Sequence, residues 1–336
     1  MAETPTAVGP TSGDEELVAR ESQGRDTRRI DVRDAARFHA FVEKRAVWLG
    51  WLHGDGPHSI SNQVVTMLVE DQTFRAINEA RKLFDAGRGG CAGFNTLVMH
   101  LVESGYVARQ SLAIRRLVEP EQKKRERQVI SLRRLLDDMR KSCELLVREN
   151  YVCCDGAPYD YLPGQAAALA LNPPRPPKYV TAGLADPLGS GWCSSFSRHS
   201  HFDDISGVRP SSRERADRMS PVVFDIIDAA LSEAKVGDIE EYANKFVAHA
   251  ADDHSIATLD DEQRSLTLDK IQRIHETLAR VVNFVSGAVL MGPAQSFLPT
   301  TIYDPIVNFD RPWVDPKNMA EVRGAWRKRE HALEDW

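Results

Sequence analysis

The spacing of apolar residues along this chain predicts helices and no strands. From residue 31 to residue 151, apolar residues recur every three or four positions, which is the period of an amphipathic helix. No convincing alternation of apolar and polar residues indicates a half-buried strand. The pattern predicts four helices in this block, over about 32–52, 59–84, 94–118 and 121–151. The longest would reach about 40 Å at roughly 1.5 Å per residue, so we expect an antiparallel bundle of long helices.

The third and fourth predicted helices have the clearest apolar faces. On the third helix, the predicted buried residues are Phe94, Leu97, Val98, Leu101, Gly105, Ala108 and Leu112. On the fourth helix, the predicted buried residues are Val129, Leu132, Leu135, Leu136, Met139, Cys143 and Leu146. Each stripe would pack against neighbouring helices of the bundle.

Changes in composition divide the chain into five segments. Residues 1–30 are polar and are expected to be a disordered leader. A first helical block, 31–151, precedes a Pro/Gly-rich insertion, 152–210, which should not be a packed element. A second helical block, 211–290, completes the bundle. An extended C-terminal arm with a short helix, 291–336, closes the chain.

Composition and charge exclude several classes of protein. Apolar residues make up 42% of the chain and charged residues 27%, as in an ordinary globular protein. A net charge of −6 argues against electrostatic nucleic-acid binding by the chain as a whole. Five cysteines are few and odd in number, which favours reduced thiols over a disulfide framework. With no apolar run long enough for a transmembrane helix, we expect a cytoplasmic protein with no membrane partner.

Residues 244–251 carry the most informative polar side chains. On a helix, Lys245 and His249 lie one turn apart on a charged stripe that adjoins an apolar one. Gly237 should end the preceding helix, and Asp238 is the predicted N-cap of this one. A histidine at such a seam is partly desolvated, which suits acid–base chemistry near neutral pH.

Each of these polar residues also has a structural interpretation. His249 could act as a general acid or base on a ribose hydroxyl or a leaving oxygen, or it could pair with Asp252 at a bundle seam. Asn244 could contact a phosphate or orient the histidine, or it could cap a local backbone group. The residue types alone leave both interpretations open.

A basic segment is the second candidate for ligand binding. Residues 109–141 contain eleven Lys/Arg and five Asp/Glu, which gives a local balance of +6. Such a patch could follow a nucleic-acid backbone, with Arg115 and Arg116 as contacts. A run of this kind is also typical of the solvated outer face of two helices.

A metal site and a cofactor site are weakly indicated. A loop site could use Cys193, His199, His201, Asp203 and Asp204, and Cys153 and Cys154 could join them, yet no Cys-x-x-Cys or His-Glu-x-x-His accompanies them. The chain also lacks a P-loop, a dinucleotide-binding fingerprint and a Gly-x-Ser-x-Gly element. We therefore predict neither a metal nor a cofactor.

Three segments resemble the HEPN superfamily, specifically the AbiU-like branch of bacterial abortive-infection proteins. They are 110–118 with 130–138, then 201–210 leading into a predicted helix with Arg215, Asp217 and Arg218, and finally 244–249. The resemblance extends over about residues 60–290. It implies an antiparallel helical bundle that is often dimeric. It also implies a role in defence or stress in which RNA is cleaved without metal, together with an antitoxin or another protein partner.

One position departs from the family pattern. Family nucleases carry an arginine four to six residues before the histidine, and Ala243 stands at that position here. Arginine would hold the phosphate through a bidentate contact, whereas Lys245 offers only a point charge. Three interpretations follow. The chain is a metal-independent endoribonuclease using His249, Asn244 and Lys245, a non-catalytic RNA-binding relative, or a protein-interaction module that dimerises through its helices.

Overall fold

The computed structural model describes most of the chain from residue 31 onward. The described residues are 31–87, 95–124, 126, 128–171, 190–248, 251–293, 295–298, 304–307, 309, 311 and 314–334. The predicted leader, 1–30, lies outside them.

Helices make up nearly all of the regular structure. The α-helices are α1 (Ala35–His53), α2 (Ile60–Gly87), α3 (Thr96–Val118), α4 (Leu132–Lys141), α5 (Arg148–Cys153), α6 (Leu162–Leu171), α7 (Ser190–Ser206), α8 (Val222–Glu233), α9 (Val236–Tyr242), α10 (Asp253–Ala257), α11 (Asp261–Arg264), α12 (Leu268–Asn283) and α13 (Met319–Glu334). Two π-helical segments (Ala243–Ala248, Phe284–Val289) and short 3-10 turns (Cys143–Leu145, Cys154–Gly156, Pro210–Ser212, Pro316–Asn318) complete the set. No β-strand occurs within the described ranges, which confirms the all-α prediction.

The chain divides into two compact units that interleave in sequence. Unit one comprises Met1–Ile60, Arg116–Val236 and Glu276–Ala294. Unit two comprises Ser61–Arg115, Gly237–His275 and Gln295–Trp336. Both predicted helical blocks therefore contribute residues to both units.

Unit one is built around the short helix α5. This helix packs against α1 and α7, and α7 also packs against α6 and the π-helical segment that follows α12. Large side chains that are at most 2% exposed fill its interior: Phe41, Trp48, Tyr151 and Phe202. All six residues of α5 are buried, including Arg148 and Glu149. Charged groups removed from water in this way require paired partners.

Unit two has a smaller core with a polar centre. Its buried cluster consists of Phe74, Met99, Tyr106 and Ile271. The rings of Phe74 and Tyr106 stack with centroids 3.9 Å apart and planes 7° apart. The Tyr106 hydroxyl donates to Asp71 Oδ1 at 2.5 Å, so the buried aromatic ring retains a partner for its polar end.

The predicted buried face of the third helix is wrong. Leu97 and Leu101 are 69% and 72% exposed, whereas Met99, Tyr106 and Gln110 of α3 are buried. Gln110 is fully buried because its amide donates to the Met67 carbonyl at 3.1 Å. A pattern of apolar residues misplaces a face when hydrogen-bonded polar side chains occupy part of it.

The single fourth helix predicted over 121–151 is also wrong, although most of its apolar face is confirmed. The chain forms α4, a 3-10 turn and α5 instead, and Leu132, Leu135, Leu136, Met139 and Leu146 are buried as predicted. The helix is interrupted because Val147 is extended and forms an antiparallel bridge with Arg218. The Leu146 carbonyl accepts from the Met219 amide at 2.9 Å, and the Arg148 amide donates to the Asp217 carbonyl at 2.8 Å.

The insertion predicted over 152–210 contains packed structure. Helices α6 and α7 lie within it and pack together, and Phe202 and Ile205 of α7 are buried. Apolar side chains at helical spacing among the serines and histidines of α7 explain this packing. Residues 213–219, predicted as part of a helix, are non-helical because they form the backbone bonds with 146–149.

The segment predicted as the C-terminal arm, 291–336, contains one α-helix within its described residues. Helix α13 closes the chain, and nearly all of its described side chains are exposed. Throughout the described part of the protein, no helix has both the length and the apolar content needed to cross a bilayer.

Candidate functional site

The segment with the nuclease-like residues changes its helical geometry at Ala243. Helix α9 passes there into a π-helical segment that carries Asn244 and Lys245 and ends at Ala248. His249 lies outside the described residues. A π-helical turn contains an extra residue, so the stripe expected for a regular α-helix does not continue unchanged beyond Tyr242. Turns of this kind are frequent at functional sites.

Lys245 is engaged by the chain that follows it. Its ammonium group donates to the Ser255 carbonyl at 2.8 Å and to the Thr258 hydroxyl at 2.7 Å. Asp252, a predicted partner of His249, caps α10 by accepting from the Ser255 amide at 2.8 Å. Both side chains therefore have local structural roles.

Ala243, at the family's arginine position, is fully buried. Asn244, the next residue, is half-buried. The buried position belongs to the interior of unit two, where an alanine fills little space and needs no hydrogen bond.

The predicted start of this helix is corrected by two side chains. Asp238 is not an N-cap. It lies inside α9 and accepts from the ammonium group of Lys270 at 3.0 Å, which is the partner that a 3%-exposed lysine requires. Gly237 does not end the preceding helix either. Helix α8 ends at Glu233, and Lys235 takes the left-handed conformation at φ 60° that glycine usually adopts.

Ion pairs within each unit occupy much of the basic segment. In unit two, Arg109 pairs with Glu70. In unit one, Arg133 and Arg140 both contact Asp228 at 2.7 Å, and Lys141 pairs with Glu121. Of the two predicted RNA contacts, Arg116 is exposed and Arg115 is half-buried with its Nε lacking a hydrogen-bond partner.

Two side chains of the alternative metal interpretation, His199 and Asp203, have other partners. His199 is 4% exposed, and its Nε2 lies 2.9 Å from the Tyr159 carbonyl oxygen. The Asp203 carboxylate accepts hydrogen bonds from Arg148 and Arg213. Burial raises the pKa of Cys153 to about 12 and that of Cys154 to about 11, so both thiols are protonated at neutral pH. Among the residues that the structure describes, no three His, Cys, Asp or Glu side chains come together to hold a metal ion.

Sequence reasoning did not find the most polar region of unit one, which surrounds Arg148. This side chain is fully buried, and its guanidinium donates to Asp203 and Asp217, each at 2.7 Å, and to the His199 carbonyl at 3.2 Å. Arg213 also donates to both carboxylate oxygens of Asp203. Burial opposes ionisation of Asp203, but the hydrogen bonds from Arg213 and Arg148 hold its pKa below the ordinary value.

A second group of ion pairs lies around Glu149. Its carboxylate, 1% exposed, accepts from the Arg215 guanidinium at 2.8 Å and from the Arg33 amide at 3.0 Å. Arg215 also bonds to Asp31 and lies 4.0 Å from the centroid of the Tyr159 ring. Although burial favours the neutral acid, the hydrogen bonds from Arg215 and the backbone lower the pKa of Glu149.

These groups border an open pocket of about 450 Å³ in unit one, named here the arginine pocket. It is lined by Arg33, Arg37, Glu149, Tyr159, Arg213, Glu214, Arg215 and Ala216. The sequence indicated part of this charged region, because Arg215 and Asp217 follow segment 201–210, one of the three segments with the family resemblance. Nothing local predicted that Arg33 and Arg37, about 180 residues earlier, would join them.

Comparisons of this chain with protein-family models, with curated proteins and with solved structures find no match. The functional argument therefore depends on the residues and their geometry.

Proposed function

We propose that this protein is a HEPN-like member of a bacterial defence system that binds RNA without cleaving it. The three family-like segments and the helical architecture support kinship with the family. The single observation that carries the non-catalytic part is the burial of Ala243. The residue that should hold the phosphate is absent, and its position faces the interior.

The burial of Ala243 makes an arginine at this position costly. A guanidinium here would overpack the interior of unit two and would need a charged partner. We expect Ala243→Arg to lower the free energy of unfolding by about 3 kcal/mol or more, from overpacking plus a buried charge. Ala248→Arg is the matched control, because Ala248 is exposed on the same π-helical segment. If Ala243→Arg folds normally and acquires RNA cleavage, the position is accessible and the proposal is wrong.

Lys245 is a poor substitute for that arginine. Releasing its ammonium group for a phosphate would break the bonds to Ser255 and Thr258, each worth about 1 kcal/mol net. A lysine also lacks the planar fork that grips two phosphate oxygens.

RNA binding is supported by the basic residues that remain outside ion pairs. Arg116, Lys123 and Lys124 are exposed residues of unit one, and none of them pairs with an acid within the described part of the chain. Contacts of this kind follow the backbone charge of RNA, so the binding should weaken with salt. Three such contacts correspond to a slope of about −2 in log K against log salt concentration.

The binding test uses the full chain and a fluorescently labelled single-stranded RNA with a 5′-hydroxyl end. We expect charge reversal of Arg116, Lys123 and Lys124 to glutamate to abolish binding and its salt dependence. The matched control reverses Arg323, Arg327 and Lys328 on exposed α13, which changes the net charge equally. Equal losses in both variants, or no binding by the wild type, would contradict RNA binding at this surface.

Cleavage is tested on the same RNA with EDTA present. We expect intact RNA at high protein concentration. EDTA-resistant cleavage that disappears in His249→Ala, with the fold retained, would overturn the non-catalytic proposal in favour of the endoribonuclease. Sedimentation of the same samples tests the homodimer that the family resemblance implies.

A further inference from the structure

We propose that the arginine pocket binds the phosphoryl group of a phosphorylated ligand. This site lies in unit one and does not depend on the RNA-binding function proposed above. Four arginine side chains converge on one open space of about 450 Å³, together with Glu149, Glu214 and the Tyr159 ring. Three further carboxylates, those of Asp31, Asp34 and Asp203, lie next to these arginines outside the lining, so a ligand would depend on the arginine donors that these acids leave unused.

Carboxylates and an aromatic ring fix the positions of two of these arginine side chains. Asp203 accepts from two nitrogens of Arg213, while Glu149 and Asp31 accept from both terminal nitrogens of Arg215. The Tyr159 ring supports the Arg215 guanidinium at 4.0 Å. A guanidinium carries five N–H donors, so each of these arginines keeps donors that the carboxylates do not use. Fixing the side chains in advance reduces the entropy lost when a ligand binds.

The other two arginines are incompletely paired. Arg37 lies 3.7 Å from Glu149 and 3.8 Å from Asp34, distances that exceed those of hydrogen bonds. Its Nε is buried and has no hydrogen-bond partner. No ion pair involves the exposed Arg33 guanidinium within the described residues. The Arg37 guanidinium therefore keeps donors that its two acidic neighbours do not take up.

The protein already holds one anion at this place. The buried Glu149 carboxylate accepts from the backbone amides of Arg33 and Asp34, from Arg215, and lies near Arg37. Its pKa is lowered despite its burial because Arg215 and the backbone amides of Arg33 and Asp34 donate hydrogen bonds to it. A second anion would bind at the open side of the pocket through the Arg33 and Arg37 guanidinium groups, which Glu149 does not saturate.

The geometry favours a phosphoryl group over a carboxylate. A phosphoryl group presents three oxygens to donors that approach from several directions, whereas a carboxylate presents two, and arginine binds either group bidentately. The pocket volume also exceeds that of a phosphate ion, leaving room for an organic group attached to it. A free nucleotide and the 5′-phosphorylated end of an RNA share this chemistry.

The experiment measures calorimetric binding of inorganic phosphate, adenosine monophosphate, and one short RNA with either a 5′-phosphate or a 5′-hydroxyl. We expect the full chain to bind the phosphorylated probes, and Arg33→Gln/Arg37→Gln to weaken this binding at least tenfold. Arg209→Gln is the matched control, since Arg209 is an exposed arginine of the same unit that lies outside the pocket lining. Circular dichroism and thermal unfolding verify that the variants fold.

The pattern of affinities identifies the source of the phosphoryl group. Tight binding of the mononucleotide with no gain from the RNA indicates a free nucleotide. At least tenfold preference for the 5′-phosphorylated RNA over its 5′-hydroxyl form indicates an RNA end. The proposal is overturned if no phosphorylated probe binds at millimolar concentration, or if the double variant binds as well as the wild type. Binding of the 5′-hydroxyl RNA reports on Arg116, Lys123 and Lys124 instead, so the two proposals can fail separately.

Discussion

The two units place polar groups in their interiors in different ways. Unit one buries Arg148 and Glu149 as ions, and each ion has several charged or backbone partners. The buried centre of unit two contains His275, whose Nε2 lies 2.9 Å from the Gln110 amide oxygen and whose Nδ1 has no hydrogen-bond partner. Burial lowers the pKa of His275 to about 4, so this imidazole is neutral at pH 7.

The difference shows how a buried polar group is accommodated. An ion can be buried where opposite charges compensate its loss of hydration, as Asp203 and Asp217 do for Arg148. A titratable group with an incomplete set of partners is buried in its neutral form instead, as His275 is. The two units should therefore respond differently to mutation and to pH.

The largest expected effect comes from breaking the ion pairs of Arg148. Arg148→Met leaves Asp203 and Asp217 without their buried partner and should lower the free energy of unfolding by about 3–5 kcal/mol. Denaturant unfolding measures the loss. Arg209→Met, at an exposed position of the same unit, should stay within about 0.5 kcal/mol of the wild type. A loss below about 1 kcal/mol for Arg148→Met would show that the pairs contribute little.

The two units should lose stability at different pH values during acidification. His275 binds a proton near pH 6.5 in the unfolded chain but only near pH 4 in the folded protein. The unfolded state therefore binds more protons within this interval, and stability falls as the pH decreases from 6.5 to 4, by up to about 3 kcal/mol. Hydrogen exchange resolved by segment should detect this loss in unit two, and His275→Gln should remove it.

Unit one should lose most of its stability at lower pH, although burial also lowers the pKa of its own histidine, His199. The pKa values of Asp203 and Glu149 lie below their ordinary values of 3.8 and 4.5. Their stabilisation is complete above those ordinary values and is lost as the pH falls through the lowered ones. A loss of protection in unit one at pH 6 as large as that in unit two would contradict the comparison.

A smaller effect is expected from the tyrosine in the centre of unit two. Tyr106→Phe keeps the ring that stacks on Phe74 and removes the hydroxyl that donates to Asp71. A buried acceptor that loses one partner costs about 1–2 kcal/mol. Thermal or denaturant unfolding measures it, with Tyr242→Phe as the control at a half-buried tyrosine. Equal stabilities for the two variants would indicate that water replaces the hydroxyl.

The smallest effect is expected from a half-exposed set of ion pairs in unit one. Arg133 and Arg140 contact Asp228, whose side chain is 36% exposed. Asp228→Asn should cost no more than about 1 kcal/mol, because solvent and salt screen such pairs. The cost should fall further in high salt, whereas that of Arg148→Met should change little. A similar salt dependence for both variants would remove the distinction between buried and half-exposed pairs.

Apolar spacing predicted the helical class and much of the face of α4, because Leu132, Leu135, Leu136 and Met139 follow a helical period. It failed on α3, where Gln110 is buried and Leu101 is exposed, since burial also depends on hydrogen bonds that sequence spacing does not contain. The nuclease-like segment was located by its residue types, but the burial of Ala243 and the contacts of Lys245 were not predictable from spacing.

The sequence by itself determined the helical class and the first three helices, α1 to α3, because propensity and periodicity act over a few neighbouring residues. Tertiary structure decided where the helices end and which charged side chains contact one another. The predicted helix over 121–151 does not run through residue 147 because Val147 pairs with Arg218, some 70 residues away. The arginine pocket exists because folding brings Arg33 and Arg37 beside Arg213 and Arg215. Contacts across such separations depend on the packing of the whole unit, which no local pattern of residues records.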